Sequence, residues 1–236
     1  MLSIIIPAYN EAKNIQPTVR TLVHELDRSD QHHELIVVCD GCTDDTAGQA
    51  HGLRLKQLQV LEYTPNHGKG YALTYGVEHS KGDTVVFLDA GGDFDPRSIR
   101  TFLNTMRSKN ADAVIGSKRH PESKVIYPSK RQFDSRLYQV LIRVLFNLKI
   151  SDTQAGLKMF KRAALEKALS CVTVERYAYD LELLVAMKQL GFSIVETPVI
   201  LTYNATTSGL TYAAITHTLR DTFTIFWRLK VRRAYR

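Results

Sequence analysis

Residues 84–93 read TVVFLDAGGD. β-Branched and apolar residues lead, and an aspartate, two glycines and a second aspartate follow. The run is short, branched and closed by glycines, so it predicts a buried strand over 84–89 that ends in a carboxylate-bearing turn. Working outward, the same grammar repeats. Residues 3–7 (SIIIP), 35–39, 58–63 and 113–116 predict four further strands. Helical stretches separate them. The first carries Ile15, Val19, Leu22, Val23 and Leu26 on one face, with Asn14 as N-cap and Pro17 in the first turn. Others are expected over 71–79 and over 98–109, the latter opened by Pro96.

Strands alternating with helices predict an α/β protein with a doubly wound, mainly parallel sheet. Such sheets take ligands beyond the carboxyl ends of their strands. The chain's unusual polar residues collect there: PAYNE at 7–11, CDGCTDD at 39–45, DAGGD at 89–93 and GSKR at 116–119. In the second half, residues 135–148 have helical spacing, 152–160 read as a loop entering a strand, and 162–169 and 179–190 as helices. Residues 192–201 are strand-like, with Pro198 favouring an edge. The tail from 212 mixes Phe223, Ile225, Phe226, Trp227 and Leu229 with arginines at helical period.

Composition bounds the chemistry. The 236 residues are 44% hydrophobic and 23% charged, which excludes a disordered or low-complexity chain. No run of 18 apolar residues is present, so no membrane span is expected, and MLSIIIPAYNE lacks the basic start of a signal peptide. Three cysteines, Cys39, Cys42 and Cys171, point to a reducing compartment rather than a disulfide scaffold. Acids around Cys39 and Cys42 argue against a redox pair, and no second Cys/His pair completes a zinc site. The net charge of +7 favours anionic partners. It concentrates at Lys118, Arg119, Lys124, Lys130 and Arg131 and again over 220–236.

Aspartates at a sheet's open end suit a hard divalent cation that joins carboxylates to substrate phosphates. A turn capped by acids is the structural alternative. Residues 66–70 (NHGKG) precede a helix and offer backbone amides and Lys69 to a phosphate, although no Walker loop is present.

PAYNE, VVCDGCTDDT, NHGKG, FLDAGGDFDP, GSKR, DTQAGLKMF and YDLELL occur in the order found in family 2 glycosyltransferases. Over residues 1–210 the chain resembles their dolichyl- or polyprenyl-phosphate sugar synthases, which have the GT-A fold. The resemblance implies an inverting transferase that moves a hexose from GDP-mannose or UDP-glucose to a polyprenyl or dolichyl phosphate. It places Pro7, Ala8, Tyr9, Glu11 and Asp40 at the nucleoside, Lys69 at the diphosphate, and Asp89 as the first acid of a DxD pair. Lys118, Arg119 and Arg131 then meet the acceptor phosphate, and Gln154, Asp180 and Glu182 line the sugar pocket. Where the family usually has DADGQFDP this chain has DAGGDFDP, so Asp93 replaces the acid missing at Gly91. Asp89 and Asp93 are therefore the expected ligands of Mg2+ or Mn2+. Residues 211–236 are expected to form a basic interfacial helix, placing the protein in the cytoplasm, peripheral at the inner face of the membrane. A hydroxyl acceptor, with Asp152 or Asp180 as base, and a catalytically weakened nucleotide-sugar-binding module are the alternatives. No recognised nucleic-acid motif is present, so nucleic acid is not an expected partner.

Overall fold

The computed structural model describes residues 1–28, 31–125, 129–201 and 212–235, with backbone only at the helical residues 129–137 and 212–215. β1 (Leu2–Ala8) is buried along nearly its whole length, as a central parallel strand must be. It pairs in parallel with β2 (His33–Asp40) and β4 (Thr84–Leu88), and β2 pairs with β3 (Leu58–Tyr63). β5 (Ala113–Ser117) pairs in parallel with β8 (Ile194–Pro198). Between β4 and β5 runs β7 (Leu157–Lys161), antiparallel to both. Among the described residues the sheet order is β3-β2-β1-β4-β7-β5-β8, and β6 (Lys124–Val125) pairs separately with β9 (Ile200–Leu201).

The mainly parallel sheet matches expectation, including Pro198 in an edge strand. The antiparallel β7 departs from it, and the departure matters. Running the other way, β7 begins where β4 ends, so Gly156 O accepts the Asp89 N–H at 3.1 Å. The DTQAG loop is thereby delivered to the open rim.

Two apolar layers sandwich the sheet. On one face α1 (Ile15–Asp27), α2 (Thr46–His51) and α4 (Ser98–Ser108) cover Ile4, Ile6, Val37 and Val86. On the other, α3 (Lys69–Glu78), α5 (Ser129–Phe146), α6 (Arg162–Leu169) and α7 (Tyr179–Gln189) cover Ile5, Val38, Phe87 and Ile115. Asn14 does not cap α1 with its side chain. It donates to Glu11 Oε2 at 2.7 Å, while Glu11 O accepts the Asn14 and Ile15 amides.

The tail does not stand apart as an appendage. α8 (Tyr212–Trp227) and the π-helical turn Arg228–Arg232 pack on α7, with Ile225, Thr222 and Tyr235 buried. The hub is Glu182, which is fully buried. It accepts the Thr173 and Val174 amides at 2.8 and 2.7 Å and the Tyr235 hydroxyl at 2.6 Å, and it pairs with Arg228.

Candidate active site

The open rim gathers most of the expected residues. Asp89 leaves β4 with its carboxylate resting on Gly156, where a Cβ would fall inside the Asp89 carboxyl group. Glycine at 156 is thus a steric requirement of the Asp89 rotamer. Lys69, the first residue of α3, places Nζ 2.7 Å from Asp89 Oδ1 and 3.6 Å from Asp180 Oδ2. Behind them Lys158, on β7, lies 2.8 Å from Asp180 Oδ1. That oxygen has no aligned hydrogen-bond donor, so charge alone holds it. Burial by itself would raise the Asp180 pKa, but Lys158 and then Lys69 outweigh it and hold the carboxylate below its usual range. Burial lowers and Asp180, then Asp89, raise the Lys69 pKa, and the net shift is upward, so its ammonium stays charged.

Asp93 sits one turn of loop further on. The ideal Cβ position at Gly91 lies 3.9 Å from Asp93 Oδ2, so the Asp93 carboxylate occupies the neighbourhood a side chain at 91 would enter. A groove of about 410 Å³ runs between α1 and this loop, with Thr18, Asp89, Gly91 and Arg97 among its walls. Among the described residues no three His, Cys, Asp or Glu side chains cluster as a ready-made metal cage.

The loop before α3 is built differently from a phosphate cradle. His67 N and Gly68 N donate to Asp40 at 2.8 and 2.9 Å, and Asn66 Nδ2 donates to the same carboxylate. Gly70 N and Tyr71 N donate to Glu175 O. Three of the amides that were candidates for a phosphate, those of His67, Gly68 and Gly70, are therefore engaged, and the Lys69 ammonium remains at the rim. Asp40 is buried and anchors the loop that carries Lys69.

At the end of β1 Ala8 is buried and accepts Cys42 Sγ–H through its carbonyl, Pro7 is half-buried, and Tyr9 is exposed at the rim. Glu11 N donates to Thr46 Oγ1. Burial and then Cys42 push the Cys39 thiol up to about 12, which leaves no reactive thiolate there.

Across the rim, Lys118 Nζ lies 3.7 Å from Asp152 Oδ2, and Arg119 and Gln154 are exposed beside it. Arg131 belongs to α5, but its side chain lies outside the described residues. Glu182 is not brought to the rim, being held by the tail as above. The reading from sequence missed Lys158. The available clue was a cation set inside an otherwise apolar strand, LKMF at 157–160.

The family model described as Glycosyl transferase family 2 matches residues 3–169. Glycosyltransferase AglD of Haloferax volcanii is 34% identical over 202 residues, 84% of this chain and 32% of that protein. Dolichyl-phosphate beta-glucosyltransferase of Drosophila melanogaster is 30% identical over 216 residues, 84% of this chain and 66% of that protein. The chain thus spans from about a third to just under two thirds of these relatives' lengths. Glucosyl-3-phosphoglycerate synthase from Mycobacterium tuberculosis was crystallised with Mn2+, uridine diphosphate and phosphoglyceric acid. It superposes with a TM-score of 0.73 at 20% identity, over 96% of this chain and 77% of that one. That likeness establishes the fold, an α/β sheet of the GT-A type.

Proposed function

This chain belongs to glycosyltransferase family 2, and from that premise we propose that it moves a hexose from a nucleotide-sugar to a polyprenyl or dolichyl phosphate, with inversion. One observation carries the choice of acceptor: both carboxylates suited to serve as a base are paired with lysines. Asp152 faces Lys118, and Asp180 lies between Lys158 and Lys69. A hydroxyl acceptor needs a carboxylate that takes up a proton. A phosphate dianion does not, and it is the ligand that a rim bearing Lys118 and Arg119 complements. The name of the Drosophila melanogaster relative, dolichyl-phosphate beta-glucosyltransferase, agrees with this acceptor.

The donor side fits a divalent cation. Asp89, seated on Gly156, and Asp93, close to the position left by Gly91, are hard oxygen donors. These two side chains would hold the cation from the protein side, as Mg2+ and Mn2+ sites built on one or two carboxylates do. Bound Mg2+ or Mn2+ would supply positive charge to the departing diphosphate. Lys69 adds a fixed ammonium to the same charge. An acceptor oxygen attacks the anomeric carbon from the face opposite the diphosphate. The C–O bond to the diphosphate breaks, its electrons leave with the nucleoside diphosphate, and no proton transfer is required. Gln154, exposed and next to Asp152, is the residue this reading assigns to orienting the sugar.

The test is a donor panel of GDP-mannose, UDP-glucose and UDP-GlcNAc against a short polyprenyl phosphate, with products identified by mass. Glycosyl phosphopolyprenol is the expected product. Transfer confined to hydroxyl acceptors would replace the phosphate reading, and nucleotide-sugar binding without transfer would reduce the protein to a binding module.

Such an acceptor lives in a bilayer, and the tail presents a face for one. Phe223, Trp227 and Val231 recur every fourth residue and are exposed, as are Val140 and Val144 on α5. α5 and α8 adjoin through Tyr138 Oη and Thr222 Oγ1 at 2.8 Å. Arg220, Lys230, Arg232 and Arg233 are exposed nearby, and each contributes about 1 kcal/mol near an anionic leaflet. Among the described residues no helix is long and apolar enough to cross a membrane, so the proposal is peripheral contact at the inner face. Deleting the tail would also remove Ile225 and Tyr235 from the core, so point variants test this better. The Phe223→Ser/Trp227→Ser/Val231→Ser protein is expected to keep its melting temperature. It should also lose at least about tenfold in partitioning to anionic vesicles by flotation. Unchanged flotation would remove this face from the membrane.

A further inference from the structure

β7 places a lysine where its neighbours are core residues. Leu157 and Met159 enter the layer under α1 and α4, and Phe160 enters the layer under α3 and α7. Side chains alternate along a strand, so Lys158 shares the Phe160 side. Its register partners are Phe87 on β4 and Ile115 on β5, and it is 1% exposed. A cation there contradicts the local apolar pattern, and conflicts of that kind concentrate at functional sites.

The distances describe its work. Lys158 Nζ donates to Ala155 O, in the loop carrying Asp152 and Gln154, and lies 2.8 Å from Asp180 Oδ1. Lys69 keeps 3.6 Å from Asp180 and 2.7 Å from Asp89. Asp180 is therefore held closely by the buried lysine and only loosely by the one at the rim. Were Asp180 left with a single cation, its undivided charge would draw Lys69 inward, away from the rim.

We propose that Lys158 is a positioning residue that keeps Asp180 occupied, so that the Lys69 ammonium stays presented to the diphosphate of the donor. The inference rests on the donor reading given under Proposed function and extends it to a residue that never touches substrate. Deleting one charge should then harm donor binding more than deleting both. This non-additivity separates positioning from simple structural support.

The experiment titrates UDP and GDP, each with Mn2+, into the wild-type protein, Lys158→Met and Lys158→Met/Asp180→Asn, with melting temperatures recorded for each. For the nucleotide that wild type binds, Kd is expected to rise about tenfold or more in Lys158→Met and to return to within about threefold in the double variant. A folded Lys158→Met protein that binds as wild type does overturns the inference, as does a folded double variant still about tenfold weak. Should Lys158→Met fail to fold, Lys158→Gln, which removes the charge but leaves a polar group beside Asp180, takes its place against the same thresholds. A wild-type protein that binds neither nucleotide overturns the donor reading, and this inference with it.

Discussion

Asp89→Asn is expected to lower sugar transfer by about a hundred- to a thousandfold, and to weaken Mn2+ binding in the presence of nucleoside diphosphate by at least about tenfold. The magnitude follows from what the side chain is asked to do. Asn keeps the shape that rests on Gly156 but loses the negative charge, so the rotamer survives while the hard anionic ligand does not. Lys69, 2.7 Å away, would then face an amide and lose its partner at the rim. Asp93→Asn should also weaken Mn2+ binding, because the Gly91 departure leaves Asp93 as the second acid. The paired change Gly91→Asp/Asp93→Gln moves that acid back by two positions. It should restore binding, since the Asp93 carboxylate already lies 3.9 Å from where the Cβ at 91 would stand. Manganese EPR titration reads metal affinity directly, apart from turnover. Undiminished Mn2+ affinity in Asp89→Asn would remove the cation from this turn, and undiminished affinity in Asp93→Asn would leave Asp89 as its only acidic ligand there.

The frame of the site was legible because it depends on patterns the chain repeats. Apolar strands ended in polar turns, and the topology brought residues 89–93, 66–69 and 117–119 to one rim. Two things were not legible, and a third was legible but misread. A run such as LKMFK carries no arrow, so nothing local distinguished an antiparallel β7 from a parallel one. The amides of Gly70 and Tyr71 are taken by Glu175 O, a partner more than a hundred residues away in the chain. Local spacing is silent about such a contact. The third miss was avoidable. Asp180 and Glu182 were grouped in one pocket, yet residues two apart on a helix point to nearly opposite sides. Asp180 reaches Lys69 and the rim, and Glu182 faces the tail.

That division sets up a stability test in which the candidate site serves as the control. Glu182 is fully enclosed, and Arg228 is its one cationic partner among the described ion pairs. Arg228 also donates to Cys171 O at 3.1 Å and lies 5.1 Å from the centre of the Tyr235 ring, so it joins the loop before α7 to the end of the chain. Arg228→Met removes the cation and leaves the carboxylate buried with uncharged donors alone: two amides, the Tyr235 phenol and, at 3.5 Å, the Thr173 hydroxyl. Breaking a buried pair from one side costs about 3–5 kcal/mol. For a chain of this size that lowers the melting temperature by on the order of 10 °C. Arg228→Met/Glu182→Gln should recover most of the loss, because no uncompensated charge then remains inside. Calorimetry checks both, and a single variant melting within about 2 °C of wild type would show that the tail is held by its apolar face alone. Below its melting range the single variant should bind nucleoside diphosphate with unchanged affinity, since Glu182 points away from Lys69. A parallel loss of nucleotide affinity would mean that the tail sets the position of α7, and with it Asp180.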